Sequence, residues 1–161
     1  RRIQQAKGMM TRMFAHLIGQ KSKPVKNVVE RGAVKKFAEA IGDPHPLFID
    51  EETGKKSRYK GNIAPPTFPR VFDYGKIPGL ELPKKGLIHG EQSYHYKRPL
   101  LVGEEIQCWA QVKDYYEKQT RSGRLSFLVI NRYGADSDGE IVFEDEQVII
   151  ITEAVRKEMA K

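Results

Sequence analysis

The sequence predicts an α+β domain, with one helical layer laid against an antiparallel sheet. Three observations carry that reading. Residues 34–41, VKKFAEAI, place Val34, Phe37, Ala38 and Ile41 at helical spacing, with Lys35, Lys36 and Glu39 on the other side. From Glu105 to Tyr116 the period falls to two: Ile106, Cys108, Ala110 and Val112 share one parity and Trp109 lies on the other. Short glycine-containing turns then separate two further apolar runs.

The elements follow in order. Gly42 stops the first helix, because glycine adopts the left-handed conformation of a helix end, and Pro44 cannot continue it. A second helix is expected from Thr67, which caps a first turn carrying Phe68, Val71 and Phe72 on one side, with Gly75 at its end. After Gly86, LIHGEQSYHYKRPLLVGEEI reads as a strand, a bend at Pro99 and a turn at Gly103. The turn SGR at 122–124 leads into LSFLVINRY. The turn ADSDGE leads into IVFEDEQVIIIT. Three long strands with short connections form an antiparallel meander.

Composition narrows the function classes. With 161 residues, 39% hydrophobic and 30% charged, the chain fits one soluble globular domain. No apolar run approaches the roughly 20 residues of a membrane helix. The opening RRIQQAKGMMTRMF is basic but lacks an apolar h-region and a small-residue cleavage site, so it does not read as a secretory signal. Residues 1–15 read as an N-terminal extension, in part foreign residues ahead of a start at Met9 or Met10, and residues 16–161 as a single domain. Cys108 is the one cysteine and has no internal disulfide partner, which together with the missing signal gives an expectation of cytoplasmic residence. The formal charge of +7 raises nucleic acid as a partner. Its cations are interspersed with acids, as in EETGKKSR and EKQTRSGR, so an anionic small molecule is served equally well and no nucleic-acid or membrane partner is expected.

The strings AIGDPHPLFIDEE, IAPPTFP and GLIHGEQSYHYKRPLLVGE, with the glycine turns between the last strands, resemble the MaoC-like hotdog family. The resemblance covers roughly residues 16–152. It is narrowest to the N-terminal, dehydratase-like domain of (R)-3-hydroxyacyl-thioester dehydratases and hydratases. It implies a hotdog fold: a long central helix, begun at Thr67, wrapped by a curved antiparallel sheet. It implies pairing of two hotdog chains, as homodimer or heterodimer, with the acyl thioester near the seam. Coenzyme A or acyl carrier protein carries the substrate, and no tightly bound cofactor is implied.

Hydrating an enoyl thioester requires a group that activates water, a proton for the α-carbon and a donor for the thioester oxygen. The family's active pattern is Asp, any residue, Asn, Pro, any residue, His. Laid on this chain, the aspartate falls on Asp43, the asparagine on His45, the proline on Pro46 and the histidine on Phe48. Phenylalanine cannot transfer a proton. Asp43 is either a water-binding acid or a helix-terminal carboxylate. His45 either replaces the base or braces the loop. Phe48 packs into the core or lines the acyl site.

His89 and His95 share a parity if the strand is regular, as do His89 and Glu91, and Gly90 permits close approach. His89 is the other candidate base. Pro66, Thr67 and Phe68, with the amides at that helix start, are candidates for the thioester carbonyl. Lys97, Arg98 and Arg124 are candidates for coenzyme phosphates. No ligand spacing typical of a metal site is present, and no elbow motif surrounds a serine. The expected function is a dehydratase or hydratase component acting with a catalytic MaoC-like partner. A homodimeric hydratase using His45 or His89, and a non-catalytic acyl-thioester-binding protein, are the alternatives.

Overall fold

A computed structural model describes residues 13–161. The N-terminal extension expected at 1–15 therefore lies largely outside the described residues. Its last part belongs to the domain instead: Phe14 is buried and meets the Tyr115 ring edge-on at 6.0 Å.

One antiparallel sheet organises the chain. Its strands are β1 (Val25–Val28), β2 (Ile88–Tyr96), β3 (Glu105–Thr120), β4 (Gly123–Ala135) and β5 (Ile141–Ile151), in the order β1-β3-β4-β5-β2. The meander expected from the turns is β3-β4-β5. The strand β2 precedes it in sequence yet pairs with β5 at the far edge. Among the described residues four α-helices accompany the sheet: α1 (Arg31–Ala40), α2 (Pro46–Ile49), α3 (Glu51–Lys56) and α4 (Glu153–Met159).

The α1 helix confirms the period at 34–41. Val34 and Ala38 are buried and Phe37 is half-buried, but Ile41, expected on the same side, is 48% exposed. It lies past the last helical residue. Gly42, at φ +73°, donates to the Glu39 carbonyl, and Asp43 donates to that of Ala38. Such a left-handed close satisfies carbonyls that a helix end leaves open.

The long central helix is absent among the described residues. From Thr67 the chain makes a single 3-10 turn, Phe68–Val71. Pro69 is in the first turn, where a helix has no use for its N–H; the turn ends because Phe72 is extended, at φ −71° and ψ 151°. What fills the sheet is an aromatic ladder. Phe37 meets Phe68 at 5.6 Å, Phe68 meets Phe72 at 5.4 Å, Phe72 meets Phe143 at 6.2 Å and Phe143 meets Tyr96 at 5.8 Å. Phe68, expected near the substrate, is 1% exposed and belongs to this core.

Bulges adjust which side chains face it. One in β3 between Val112 and Asp114 moves Tyr115 onto the face that Val112 occupies. Burial pushes the Cys108 thiol up to about 12, so it packs as a small hydrophobe. Also on this face, Arg132 Nε lies 3.0 and 3.1 Å from the two carboxylate oxygens of the fully buried Asp145. Burial raises the Asp145 pKa, and the Arg132 contact opposes that rise.

The Phe143 ring lies over Gly134, where an added Cβ would run into it. Gly134→Ala is expected to destabilise the fold by roughly 1–3 kcal/mol, the range for overpacking a filled core. Urea unfolding followed by circular dichroism measures this, as a lower midpoint at unchanged slope.

Candidate functional site

The loop GDPHPLFID is built by two consecutive caps. Pro46 opens α2 at a position where its missing N–H costs nothing. His45 caps that helix: its Nδ1 accepts from the Leu47 N–H at 3.0 Å. Asp50 caps α3, where its carboxylate accepts from the Thr53 N–H at 2.9 Å and the Thr53 hydroxyl at 2.6 Å. Those bonds hold the Asp50 pKa below its ordinary value. The loop is then tied down by Asn62, which is buried. Its Nδ2 donates to the carbonyls of Leu47 at 2.9 Å and Asp50 at 2.8 Å, and its Oδ1 accepts from Arg31 at 2.8 Å.

The tie leaves a cavity of about 510 Å³ on its other side. Asp43, His45 and Phe48 from the loop, Pro66 from the APPT string, and Lys97 and Arg98 after β2 all line it. The sequence reading named these six. Leu47, Tyr59, Ile63, Ala64, Tyr96 and Pro99 complete the wall, which is mainly apolar. Tyr96 was missed as a lining residue. Its hydroxyl donates to the Pro66 carbonyl at 2.6 Å and so pins β2 to the APPT segment. Burial raises its pKa. Its inward position on β2 was the available signal.

Each candidate now has a geometry. Asp43 is exposed at the cavity mouth, and among the described residues its carboxylate has no hydrogen-bond partner. Phe48 is 8% exposed, so it is both core and cavity wall. Its ring stands 5.7 Å from that of His45. A neutral His45 whose Nδ1 accepts must carry its proton on Nε2. It therefore offers a donor, and can take a proton on Nδ1 only by giving up the cap.

Other candidates lie elsewhere. Thr67 is exposed and makes no side-chain cap, so the expected capped helix start does not form. The Phe68 N–H is used on the Pro65 carbonyl and Pro69 has none, which leaves the Thr67 N–H as the amide without an acceptor at this turn among the described residues, and Thr67 does not line the cavity. Arg98 lines the cavity but is held by Glu104 in a two-pronged pair at 2.9 and 2.8 Å, with Asp136 at 3.6 Å. Arg124 pairs with Glu117 at 3.5 Å near the start of β4. Gly134, beside the Tyr96 end of the sheet, is ten residues further along that strand, roughly 33 Å away. Neither arginine is a free phosphate ligand in this chain. Lys97 is exposed and remains the cation at the cavity.

The strand β2 departs from simple alternation. A bulge at Gly90 pairs His89 with Ile149 and Gln92 with Gln147, so both lie on the inner face with Tyr94 and Tyr96. His95 pairs with Glu144, and Glu91 with Val148, on the opposite face. The shared parity expected of His89 with His95 and with Glu91 fails for that reason. A Cβ at Gly90 would come within 2.8 Å of the Ile150 side chain, so the glycine serves close strand packing. His89 and Gly90 do not line the cavity.

Residues 16–145 match the family described as FAS1-like, dehydratase domain region. The chain belongs to this family. The MaoC-like hotdog resemblance is thereby established. A UPF0336 protein of Thermobifida fusca is 37% identical over 92 residues, 53% of this chain and 60% of that one, so the match spans about 60% of that relative's length. A UPF0336 protein of Parafrankia sp. is 32% identical over 122 residues, 72% of this chain and 78% of that one. Among solved structures, the ChsH1-ChsH2 complex of Mycobacterium tuberculosis has a chain similar at TM-score 0.68 and 24% identity, covering 94% of this chain and 92% of that one. The HadBC (3R-hydroxyacyl-ACP dehydratase) complex of the same organism is similar at 0.66 and 22%, covering 83% and 96%. These likenesses establish the hotdog fold. No helix among the described residues is long and apolar enough to cross a membrane.

Asn62→Leu removes three hydrogen bonds and leaves two carbonyls and a guanidinium to find new partners. It is expected to cost roughly 2–4 kcal/mol at about 1 kcal/mol or more per bond. Thermal unfolding measures the loss, and hydrogen exchange is expected to quicken in residues 46–56. The Asp50 cap adds a pH dependence. Its folded pKa lies below the ordinary 3.8, so its contribution is present above that value and lost as the pH falls through the lower folded one. Exchange of the Thr53 amide is expected to reveal the loss on acidification, and Asp50→Asn to flatten it.

Proposed function

We propose that this chain is the acyl-binding component of an (R)-3-hydroxyacyl-thioester dehydratase or hydratase, working beside a second MaoC-like chain that carries a complete Asp–His pair. The observation that carries the proposal is Phe48. It occupies the position of the family's histidine, inside the cavity wall, where a base would have to stand. With His45 committed as a cap acceptor, the cavity lacks a ready proton acceptor other than Asp43. The HadBC and ChsH1-ChsH2 neighbours are complexes of two chains, which supports a partnered arrangement.

In this reading the thioester arrives on coenzyme A or acyl carrier protein. The apolar wall takes the acyl part, and His45 Nε2–H is the donor available to a thioester oxygen. Lys97 is the cation available to a carrier phosphate. Water adds at the β-carbon, the partner's Asp–His pair takes the proton it loses, and the same pair returns a proton to the α-carbon, so that the double bond becomes the 3-hydroxyacyl single bond. A binding protein that converts nothing is the competing reading, favoured by the same Phe48.

The test is hydration of crotonyl-coenzyme A and longer enoyl-coenzyme A, followed by loss of the conjugated thioester absorbance. The isolated chain is expected to turn over slowly. Addition of the MaoC-like chain that co-purifies with it is expected to raise the rate roughly 10²- to 10⁴-fold, the contribution of a positioned acid or base. Rapid turnover by the isolated chain would refute the partnered reading, and an inactive pair would favour the binding protein. Phe48→His is expected to restore part of the rate to the isolated chain, and Asp43→Asn to remove it again.

A further inference from the structure

The strand β2 is an outer strand of the sheet, nine residues long, with its β5 side paired. At its start stands a hydrogen-bond chain that the cavity does not use. His89 Nε2 lies 3.0 Å from Gln92 Oε1, and Gln92 Nε2 donates to Asp145 Oδ1 at 3.1 Å. Arg132 secures the far side of Asp145.

The directions of these bonds are determined by chemistry. An ionised carboxylate only accepts, so Gln92 must turn its amide nitrogen to Asp145. That leaves its oxygen facing His89, so the imidazole must donate from Nε2. A neutral His89 therefore keeps a lone pair on Nδ1. The buried pair fixes the tautomer of an exposed side chain through one intervening amide.

His89 does not line the cavity that Asp43, His45 and Phe48 wall in. It is seven residues along β2 from Tyr96, roughly 23 Å. Pairing of two like edge strands about a two-fold axis normal to the sheet is antiparallel, and it covers the open N–H and C=O groups of the edge. The first residues of one β2 then lie beside the last residues of the other. His89 shares its face with Tyr96, the cavity-lining residue at that opposite end.

We propose that His89 is a substrate-binding residue in trans: it reaches the partner chain's cavity, where Nδ1 accepts a hydrogen bond from an N–H or O–H of the thioester bound there. This deepens the dehydratase reading and rests on it. Two groups of such a thioester qualify, an amide N–H of the pantetheine arm and the 3-hydroxyl. Gln92 and Asp145 are positioning residues that hold the tautomer.

The experiment uses the native assembly. Long-range proton–nitrogen correlation on histidine-labelled protein is expected to find His89 protonated on Nε2 with Nδ1 bare, and Gln92→Leu to mix the tautomers. His89→Leu is expected to raise KM roughly 2- to 10-fold with kcat unchanged, the effect of one hydrogen bond, and His89→Gln, which keeps an acceptor, to recover part of it. Equal rises for crotonyl- and 3-hydroxybutyryl-coenzyme A identify the amide; a rise for the hydroxy substrate alone identifies the hydroxyl. An active assembly in which His89→Leu alters neither KM overturns the inference and leaves the dehydratase reading standing. If the wild-type assembly does not turn over, that reading fails, and the His89 ring signals on adding butyryl- or 3-hydroxybutyryl-coenzyme A decide the inference: a shift with either supports it, silence with both overturns it.

Discussion

The Asn62 carboxamide is the constraint on which the site depends. A buried amide must place all its donors and its acceptor, or it costs more than it contributes. Asn62 does so by joining segments distant in sequence: Leu47 and Asp50 on the loop, Arg31 at the start of α1, and, through its own carbonyl, the Val102 amide. Gly54 makes the approach feasible, since a Cβ there would stand 2.7 Å from both the Asn62 backbone nitrogen and Nδ2. The two short helices after Asp43 are too short to be stable alone. Their shape comes from this tie and from the caps at His45 and Asp50.

The second constraint is the shortened helix at Thr67. A hotdog sheet needs a filling, and here aromatic rings supply it in place of a long helix. Phe68 and Phe72 project from a single turn and a following extended residue, and Phe143 joins them to Tyr96 on the sheet. Edge-on ring contacts suit such irregular backbone, because each aromatic buries a large area without helical register. The cavity exists beside this ladder, bounded by Tyr96 and by the loop that Asn62 holds.

Much of this was legible in the sequence, and the illegible parts have physical reasons. The meander was readable because period-two runs and glycine turns are local signals. So was α1, with Gly42 at its end. The position of β2 beside β5 was not, since strand order is a tertiary property. The helix expected at Thr67 failed because its periodic residues are also the spacing of a 3-10 turn followed by an extended residue, and the conformation of Phe72, which ends the turn, is not a local sequence signal. The strand β1 and α4 were too short to stand out. For the site, the three matching strings located the cavity wall correctly. They did not reveal that Arg98 is held by Glu104, nor that the bulge at Gly90 turns His89 inward. His45 was placed correctly, yet its role as a cap depends on a bond to Leu47 that periodicity cannot express.

The sheet's two margins differ greatly in length. The margin at β1 is four residues long, preceded by Pro24, and carries Lys26 in an ion pair with Glu105. The margin at β2 is nine residues long. A sheet with one long adhesive border and one short, charged border can add a neighbour once and then has little left to offer another. Polymerisation needs two serviceable borders on every unit; here the second is divided between the short, charged β1 and the outer stretch of β3 beyond it. The same unevenness that makes a pair attractive therefore also works against a fibre.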